Sequence, residues 1–395
     1  MSERGAAGSG RAAAALFLGA SSMFATMYST QAILPELSHG LDATPAQAGL
    51  SITVVVFAVA VFAWVHGPLS DRIGRARVMV GSAALLVIPT ALVAVASSLP
   101  VFLALRAAQG ALMPGLLVVA VPYVSERFRG PAVGAAMGAY TASLTFGGLV
   151  GRVGTALIAD WVGWRWALGS LVVPVILGAL AMWAWLPRDV PQPVRRPLGE
   201  AIADHVHNRM LVTNAVVAAA TFFGYVGLFT YASYRLTSPA IGLTIGESGL
   251  VYGVWIVGAA VPLVGHLAHR AGPARLLPFL TALAIAGALL TLVASLPVLI
   301  LGLAMTAFAM FSIVTTCQIL LPRLVDHHRG TATSLHLTIY YLAGGAGAYL
   351  PGLRLSAGWP AVVEVCIGAF VVGTGAALLL RARVGRGVAL GTVAE

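Results

Sequence analysis

The sequence contains no lysine and little charge of either sign. All 23 of its Lys+Arg positions are arginines, the acidic residues number 13, and charged residues make up only 9% of the 395 positions. Soluble domains carry about 25% charged residues. With 59% hydrophobic residues and a mean hydropathy of +0.92, the chain has too few polar side chains to cover its apolar surface. A soluble globular protein is therefore excluded, and a polytopic membrane protein is expected.

Cysteine is scarce as well. Cys317 and Cys366 both lie inside apolar runs, so the sequence supports neither a disulfide framework nor a metal site. Three enzyme motifs are also missing: the Gly-x-Ser-x-Gly elbow, the His-Glu-x-x-His zinc motif and the Gly-x-x-x-x-Gly-Lys phosphate loop. We therefore expect no enzymatic activity, no cofactor, and a gradient rather than ATP hydrolysis as the energy source.

Long apolar runs dominate what is present. A spanning helix needs about 20 apolar residues, and twelve runs approach that length, near residues 12–34, 46–66, 78–98, 100–123, 131–158, 165–186, 210–236, 247–268, 275–294, 296–321, 330–352 and 358–381. The first run is long enough to span, so we identify no cleavable signal. The formal charge of +10 does not indicate nucleic acid as a partner, because the arginines are scattered between the runs.

The arginines predict the orientation of the chain. With both termini inside, the outer loops hold only Arg165 and Arg354, and Arg235 lies at a helix end. Cytoplasmic loops of membrane proteins are enriched in positive residues. We therefore expect a multi-pass protein of a bacterial cytoplasmic (inner) membrane with both termini cytoplasmic, acting as a monomer in contact with the lipid bilayer.

The sequence divides into two similar halves. The predicted domains are an N-terminal bundle at 1–186, a polar linker at 187–209 and a C-terminal bundle at 210–395. Segments of the first half recur in the second: Gly67–Arg77 as Gly265–Arg275, Glu126–Gly130 as Asp326–Gly330, Gly147-Gly148 as Gly344-Gly345, and Gly163-Trp164 as Gly358-Trp359. Such a parallel repeat favours a transporter, because two bundles can rock about a central site.

The loop Gly67-Pro68-Leu69-Ser70-Asp71-Arg72-Ile73-Gly74-Arg75-Ala76-Arg77 carries the most specific motif. It is similar to the Gly-x-Leu-Ser-Asp-Arg-x-Gly-Arg-Arg/Lys signature of the major facilitator superfamily. The resemblance implies an all-α integral membrane fold with twelve transmembrane helices in two six-helix bundles. It also implies that Asp71 latches the halves on the cytoplasmic side, whereas the alternative is that Asp71 only balances its arginine neighbours. The predicted gating residues are Gly67, Asp71, Arg72, Gly74, Arg75, Arg77, Arg127 and Arg129.

Arg106 lies inside the fourth run, in Leu105-Arg106-Ala107-Ala108-Gln109-Gly110. A charge at that depth costs about 2.5–3.5 kcal/mol on insertion scales unless it meets water, a partner or a ligand. The segment resembles the family's Arg-x-x-Gln-Gly motif, which implies a role in proton or substrate coupling. A structural arginine with satisfied hydrogen bonds is the alternative.

The fifth run resembles the family's antiporter motif in its glycine spacing, with Gly138, Gly147, Gly151 and Gly154. Small residues at such intervals let helices approach closely. The chain departs from the motif at Arg152, where proline is expected. Together with Tyr28–Pro35, this form resembles a YnfM-like branch of efflux permeases.

Arg152 is predicted at nearly the depth of Arg106, and two like charges at one level would repel. A negative group should therefore lie nearby. A bound anion is one solution, and pairing of Arg152 with Asp160 or Glu36 is the other.

Other polar residues inside the runs either face a substrate cavity or bridge helices. With Arg106 and Arg152, the predicted substrate-binding residues are Tyr28, Gln31, Asn214, Gln318, His336, Tyr340 and Tyr341. The first six runs contain no acid near their centres. The candidates for proton coupling are therefore Asp71, Arg106, Glu364 and His336, with Glu36 and Glu247 as further acids, and histidine titrates near neutral pH.

These observations predict a secondary transporter that exports small organic molecules, drugs or metabolites with anionic or zwitterionic character, by proton antiport and alternating access. One alternative is an uptake symporter or exchanger for an organic anion, which the arginine pair supports. A second is a membrane sensor that binds without transporting. The chain lacks a soluble signalling domain, which argues against the sensor.

Overall fold

The computed structural model describes residues 3–187, 189, 207–325 and 329–391, and the regular secondary structure in these ranges is helical throughout. Most of the predicted linker, residues 188 and 190–206, lies outside the described residues. So do Asp326, His327 and His328 of the second-half motif. The described chain falls into two compact units.

The first unit comprises Met1–Arg195, Leu236–Ser238 and Gly242–Gly253. Its helices begin with α1 (Glu3–Tyr28), α2 (Leu34–Gly40), α3 (Pro45–Ile73), α4 (Arg75–Val93), α5 (Leu99–Leu112), α6 (Pro114–Leu117), α7 (Ala120–Arg127), α8 (Pro131–Val162), α9 (Trp164–Ser170) and α10 (Val172–Trp185). Within the unit, α1 packs against α8 and α10, and α3 packs against α5.

The second unit comprises Arg196–Arg235, Pro239–Ile241 and Val254–Glu395. The chain continues through α11 (Arg209–Leu236), α12 (Ile245–Val251, which belongs to the first unit), α13 (Val261–Ala271), α14 (Pro273–Leu290), α15 (Leu296–Leu320), α16 (Arg329–Tyr349) and α17 (Trp359–Gly391). Short 3₁₀ segments occupy Gln31–Ile33, Tyr252–Ala260, Leu321–Arg323 and Leu350–Ala357. In this unit α14 packs against α15 and α17.

Eleven helical segments among the described residues are long and apolar enough to cross a membrane: Gly10–Gly40, Pro45–Ile73, Arg75–Val93, Leu99–Arg127, Ala132–Val162, Trp164–Trp185, Arg209–Leu236, Ile245–Ala268, Pro273–Leu290, Leu296–Arg323 and Trp359–Val384. The predicted run 330–352 corresponds to α16, a further helix of 21 residues. Large apolar side chains such as Trp161, Leu263 and Phe279 are 88%, 74% and 69% exposed, as a lipid-facing surface requires.

The same capping device begins a helix in each half of the sequence, and both helices belong to the first unit. Thr44 begins α3 with a capping box to Gln47, and Thr244 begins α12 with the same box to Glu247. In each box the side chains satisfy free N–H groups of the first helical turn. Glu247, a proton candidate from the sequence, therefore has a local structural partner: its Oε2 accepts from the Thr244 N–H at 2.9 Å.

Glycines set a matching helix crossing in each unit. A β-carbon at Gly151 of α8 would overlap the backbone of Ala25 on α1, and one at Gly347 of α16 would overlap the backbone of Phe223 on α11. Such contacts require a residue without a side chain. The four glycines predicted to line α8 differ, however, because a β-carbon at Gly138 or Gly154 would meet no neighbouring helix.

Candidate functional site

The first predicted run is not one continuous helix. α1 stops at Tyr28, a 3₁₀ turn covers Gln31–Ile33, and α2 begins at Leu34 with Pro35 in its first turn. A proline has no N–H to donate to the carbonyl four residues earlier, here that of Gln31. The hydroxyl of Tyr252 donates to this carbonyl oxygen at 3.3 Å. The break therefore places unpaired backbone groups in the interior of the first unit, where side chains satisfy them.

Arg106 closes the end of α1. Its guanidinium donates to the carbonyls of Thr26 (2.9 Å) and Met27 (2.8 Å), which are among the last of α1, and to that of Ser51 on α3 (3.1 Å). The last carbonyls of a helix have no partner within the helix, and a cation favours the negative end of the helix dipole. Arg106 is only 1% exposed. These contacts favour its structural role over direct contact with a substrate.

A polar chain continues from Arg106 into α4. Nη1 of Arg106 donates to Oε1 of Gln109 at 2.7 Å, and Nε2 of Gln109 donates to Oγ1 of Thr90 at 3.0 Å. The two polar residues of the Arg-x-x-Gln-Gly motif therefore act together. They join α1, α3, α4 and α5 through one buried network, which fixes the position of the helix break.

Arg152 holds the other side of the break. Its Nε donates to Oε1 of Gln31 at 2.7 Å, its Nη1 donates to the carbonyl of Gly148 at 2.6 Å, and its guanidinium carbon lies 4.2 Å from the ring centroid of Tyr28. Arg152 is fully buried. Neutral acceptors and a ring face thus provide part of the balance that the sequence analysis assigned to a negative group.

Two hydroxyl groups complete the surroundings of the break. Oγ1 of Thr155 on α8 donates to the carbonyl of Ser29 at 2.9 Å, and Oγ of Ser51 donates to Oγ1 of Thr30 at 3.0 Å. Asp160, one of the acids proposed to pair with Arg152, accepts a hydrogen bond from Oγ1 of Thr244 at 3.2 Å. The predicted residues Tyr28, Gln31, Arg106 and Arg152 therefore meet around one buried backbone break.

The signature loop forms a second polar cluster, at the junction of α3 and α4. Gly74 separates the helices with φ of +101°, a conformation that glycine adopts without strain. Nη2 of Arg75 lies 3.2 Å from Oδ1 of Asp71, and its Nη1 lies 2.7 Å from Oε1 of Glu126 on α7. Arg75 therefore ties α3, α4 and α7 together.

The carboxylate at the free N-terminus of α4 is Asp189 and not Asp71. Oδ2 of Asp189 accepts from the N–H of Arg75 at 2.6 Å, and Oδ1 accepts from the N–H of Ala76 at 3.0 Å. A carboxylate at this position satisfies free N–H groups and favours the positive helix end. The side chain of Asp71, which is 39% exposed, contacts Arg75 across the junction of α3 and α4. A latch by Asp71 between the halves stays a prediction.

The remaining gating candidates are solvent-facing. Arg72, Arg77, Arg127 and Arg129 are exposed. Arg129 donates to the carbonyls of Ser125 and Glu126 at 3.3 and 3.2 Å, and Arg77 donates to that of Ile73 at 3.4 Å. The described contacts of Arg129 therefore cap the C-terminal end of α7, and Arg75 is the arginine that contacts both Asp71 and Glu126.

We expect Asp189→Asn to lower stability more than Asp71→Asn. The first substitution replaces one of the two acceptors that cap α4, a contact worth about 0.5–2 kcal/mol, whereas the second weakens an exposed ion pair. Thermal unfolding of the purified variants in detergent would measure both effects. An Asp71→Asn variant that is the less stable of the two would show that the cap at α4 contributes little.

In the second unit the predicted residues separate into two groups. Asn214 is buried and donates from Nδ2 to the carbonyl of Cys317 at 3.1 Å, which bridges α11 and α15. Gln318 is exposed. His336 is 2% exposed, and Tyr340 and Tyr341 follow it on α16 within an aromatic cluster. Glu364 lies at the surface, 77% exposed and 3.8 Å from Arg354, which favours its pairing role.

Sequence reasoning missed Asp189, Tyr252 and the hydroxyl of Thr155. Asp189 lies 113 positions from Ala76, and Tyr252 lies 221 positions from Gln31. Two local signals were available: Gly74 gives the N-terminus of α4 no capping side chain of its own, and Pro35 has no N–H to donate to the Gln31 carbonyl. Each signal implies that a partner exists, but neither identifies it.

Among the described residues, no group of three or more His, Cys, Asp or Glu side chains could hold a metal ion.

Comparison with known proteins gives a consistent result. The family model of the Major Facilitator Superfamily matches residues 16–348 and 240–389. The MFS-type transporter YybF of Bacillus subtilis (strain 168) is 28% identical over 344 residues, covering 86% of this chain and 85% of YybF. The inner membrane transport protein YnfM of Escherichia coli (strain K12) is 30% identical over 279 residues, covering 69% of this chain and 66% of YnfM.

Solved structures show the same fold. A D-xylose-proton symporter superposes with a TM-score of 0.73 at 16% identity, covering 94% of this chain and 96% of that structure. The nucleoside transporter NupG superposes with a TM-score of 0.77 at 12% identity, covering 93% of this chain and 99% of that structure.

Proposed function

The chain belongs to the Major Facilitator Superfamily and is a multi-pass membrane transporter, and we propose that it exports small organic molecules across a bacterial inner membrane in exchange for protons. The observation that carries this proposal is the repeat of one helix crossing in both units, Gly151 on Ala25 and Gly347 on Phe223. Two units with the same internal packing can act as the two bodies of an alternating-access cycle.

Export is supported by one named relative. A chloramphenicol resistance protein of Pseudomonas aeruginosa is 28% identical over 162 residues, which cover 41% of this chain and 39% of that protein. Removal of a toxic compound is the simplest way in which a membrane transporter confers resistance. Chloramphenicol is therefore a suitable first probe for this chain.

His336 is the proposed proton carrier. Arg106 donates to Thr26, Met27, Ser51 and Gln109, and Glu364 lies exposed near Arg354. His336 differs because it is 2% exposed and its Nδ1 has no hydrogen-bond partner among the described residues. A proton or a substrate group arriving there would gain a hydrogen-bond partner.

Hydrogen bonds within the chain meet part of the need that an anionic substrate was expected to fill at the buried arginines. That hypothesis relied on two unpaired positive charges at one depth. Arg106 makes four hydrogen bonds to neutral acceptors of the chain, and Arg152 makes two together with its contact to Tyr28. The geometry therefore offers no particular support for uptake or exchange of an organic anion.

Proteoliposomes containing a lumenal pH dye would test the proposal. Chloramphenicol added outside should enter through the protein and drive protons out, so that the lumen becomes more alkaline. His336→Gln should reduce this signal at least tenfold, whereas His266→Gln, an exposed histidine on α13, should leave it unchanged. Labelled chloramphenicol that accumulates without a lumenal pH change would contradict proton exchange, and binding without any flux would indicate a sensor.

A further inference from the structure

Six aromatic rings from four elements meet in the second unit. We call this cluster the aromatic platform: Phe222 and Tyr225 of α11, Trp255 of the 3₁₀ segment Tyr252–Ala260, Phe311 of α15, and Tyr340 and Tyr341 of α16. Phe222 stacks on Tyr340 with ring centroids 3.8 Å apart, and Tyr340 meets Tyr341 edge-on at 5.3 Å. Tyr225 lies 5.9 Å from Trp255, which meets Phe311 edge-on at 4.9 Å.

Two of the helices that carry the platform, α15 and α16, have both buried and exposed faces. On α16, Leu342 is 40% exposed, and Tyr340 lies two residues away, on the opposite side of the helix. On α15, Phe311 and Gln318 are seven residues apart and share one face, and Gln318 is exposed. The half-buried ring of Phe311 therefore lies on the same helix face as an exposed polar side chain, about two turns away.

A polar layer lies one to two helical turns from the platform. Leu211, Leu321 and Ala332 form one buried cluster. Three or four residues after Leu211, before Leu321 and after Ala332 lie, in that order, Asn214, Cys317 and His336. Both the cluster and the stack of Phe222 on Tyr340 join α11 to α16, so these two helices run in the same direction. Asn214 and His336 therefore both lie between that cluster and the platform.

This layer contains two buried polar atoms without partners. Asn214 is fully buried and His336 is 2% exposed. Among the described residues, Oδ1 of Asn214 and Nδ1 of His336 have no hydrogen-bond partner. Buried polar groups are almost always hydrogen-bonded, and leaving one unpaired costs about 1–3 kcal/mol. The two orphaned atoms therefore point to a polar group that the described residues do not supply.

Charge narrows the class of ligand. Glu364, exposed and near Arg354, is the one acidic side chain among the described residues of the second unit, so no buried carboxylate there offsets a cation. The platform itself contains no arginine to offset an anion. Aromatic faces attract planar rings by offset or edge-on stacking.

We propose that the aromatic platform and the Asn214–His336 layer together bind the transported molecule, and that this molecule is a neutral aromatic compound carrying a hydroxyl or amide group. The ring would lie against Tyr340, Tyr341 and Phe311. The hydroxyl or amide would donate to Asn214 Oδ1 or bond to His336 Nδ1. This inference rests on the transport function proposed above, whose substrate class it specifies.

A set of two-ring compounds of similar size separates the contributions of the aromatic face, the polar group and the charge to binding. Binding to the purified full-length protein would be measured by calorimetry with 2-naphthol, 2-naphthoate, 2-naphthylmethylammonium, naphthalene and decahydro-2-naphthol. We expect 2-naphthol to bind about tenfold more tightly than naphthalene, which lacks the polar group, and than decahydro-2-naphthol, which lacks the aromatic face. The two charged members should bind more weakly still.

Variants assign the binding to named side chains. Tyr340→Leu and Phe311→Leu should each weaken 2-naphthol binding about tenfold, whereas Phe279→Leu, 69% exposed on α14, should not change it. His336→Leu should weaken the preference for 2-naphthol over naphthalene while leaving naphthalene binding intact. Because Tyr340 also packs in the core, Tyr340→Phe serves as a second variant that keeps the stack and should keep the binding.

Two results would overturn the inference: tighter binding of either charged member than of 2-naphthol, or equal binding of 2-naphthol and decahydro-2-naphthol. Neither depends on proton exchange, which is measured separately in liposomes. A protein that shows the predicted binding order but no proton-linked flux would contradict the proposed function and leave the ligand site in place.

Discussion

Arg106→Leu should abolish transport and lower the free energy of unfolding by about 3–5 kcal/mol, because it leaves the carbonyls of Thr26, Met27 and Ser51 buried without their donor. The loss should also be visible locally. Without the guanidinium, the end of α1 has no cation to satisfy it, so protection of the amides around Tyr28 from hydrogen exchange should fall.

Arg106→Lys provides the graded comparison. Lysine keeps the charge, but its ammonium cannot reproduce the planar fork that reaches three carbonyls and Gln109, so we expect partial stability and a large loss of transport. Arg165→Leu is the matched control: Arg165 is exposed, donates to the carbonyl of Ala96 at 3.0 Å, and should lose little on substitution. An Arg106→Leu protein as stable and active as the parent would show that α1 does not need this cap.

Alanine at the glycines of α8 should change stability in opposite directions at neighbouring positions. Gly147→Ala and Gly151→Ala force a β-carbon into the backbone of Ser21 and Ala25, and overpacking of this kind costs about 1–3 kcal/mol. Gly154→Ala and Gly138→Ala meet open space and should stabilise the helix by about 0.5–1 kcal/mol. The four variants, unfolded thermally in the same detergent, form one internally controlled series.

Transport should follow the same division, because α1 and α8 must cross closely to bring Tyr28 and Arg152 together. Gly151→Ala is expected to lose most activity and Gly154→Ala to retain it. Equal effects at the two positions would mean that glycine serves α8 through backbone flexibility and not through contact with α1.

Most of the fold could be predicted from the sequence, because apolar runs and arginine-rich loops are direct consequences of the bilayer. The positions of the spans followed from these patterns, and the family was indicated by the resemblance of Gly67–Arg77 to its signature motif. The fold prediction is confirmed by the structural relatives. The break in the first run was not predicted, because a hydropathy pattern does not distinguish a continuous helix from one interrupted after Tyr28.

The site was predicted only in part. Sequence position identified Arg106 and Arg152 as unusual, since an arginine at such depth needs a partner. It could not show that the partners are backbone carbonyls, because every residue carries one and the sequence does not distinguish them. The same limit applies to Asp189, whose relation to Arg75 depends on how the chain folds back after α10.

The two halves have the same glycine helix crossing but place different side chains beside it, and this difference affects how the protein can evolve. Next to Gly151 stands Arg152, held by Gln31 and Tyr28, whereas next to Gly347 stands Ala348, whose carbonyl accepts from the Tyr231 hydroxyl at 2.6 Å. A substitution of Arg152, Gln31 or Tyr28 must preserve a buried charge together with its acceptors, so we expect single changes at these positions to lower activity. In the uncharged, ring-lined interior of the second half, we expect one ring to be exchangeable for another in single steps. We therefore expect new substrate ranges to arise through substitutions in the second half, while the helix packing of the first half is retained.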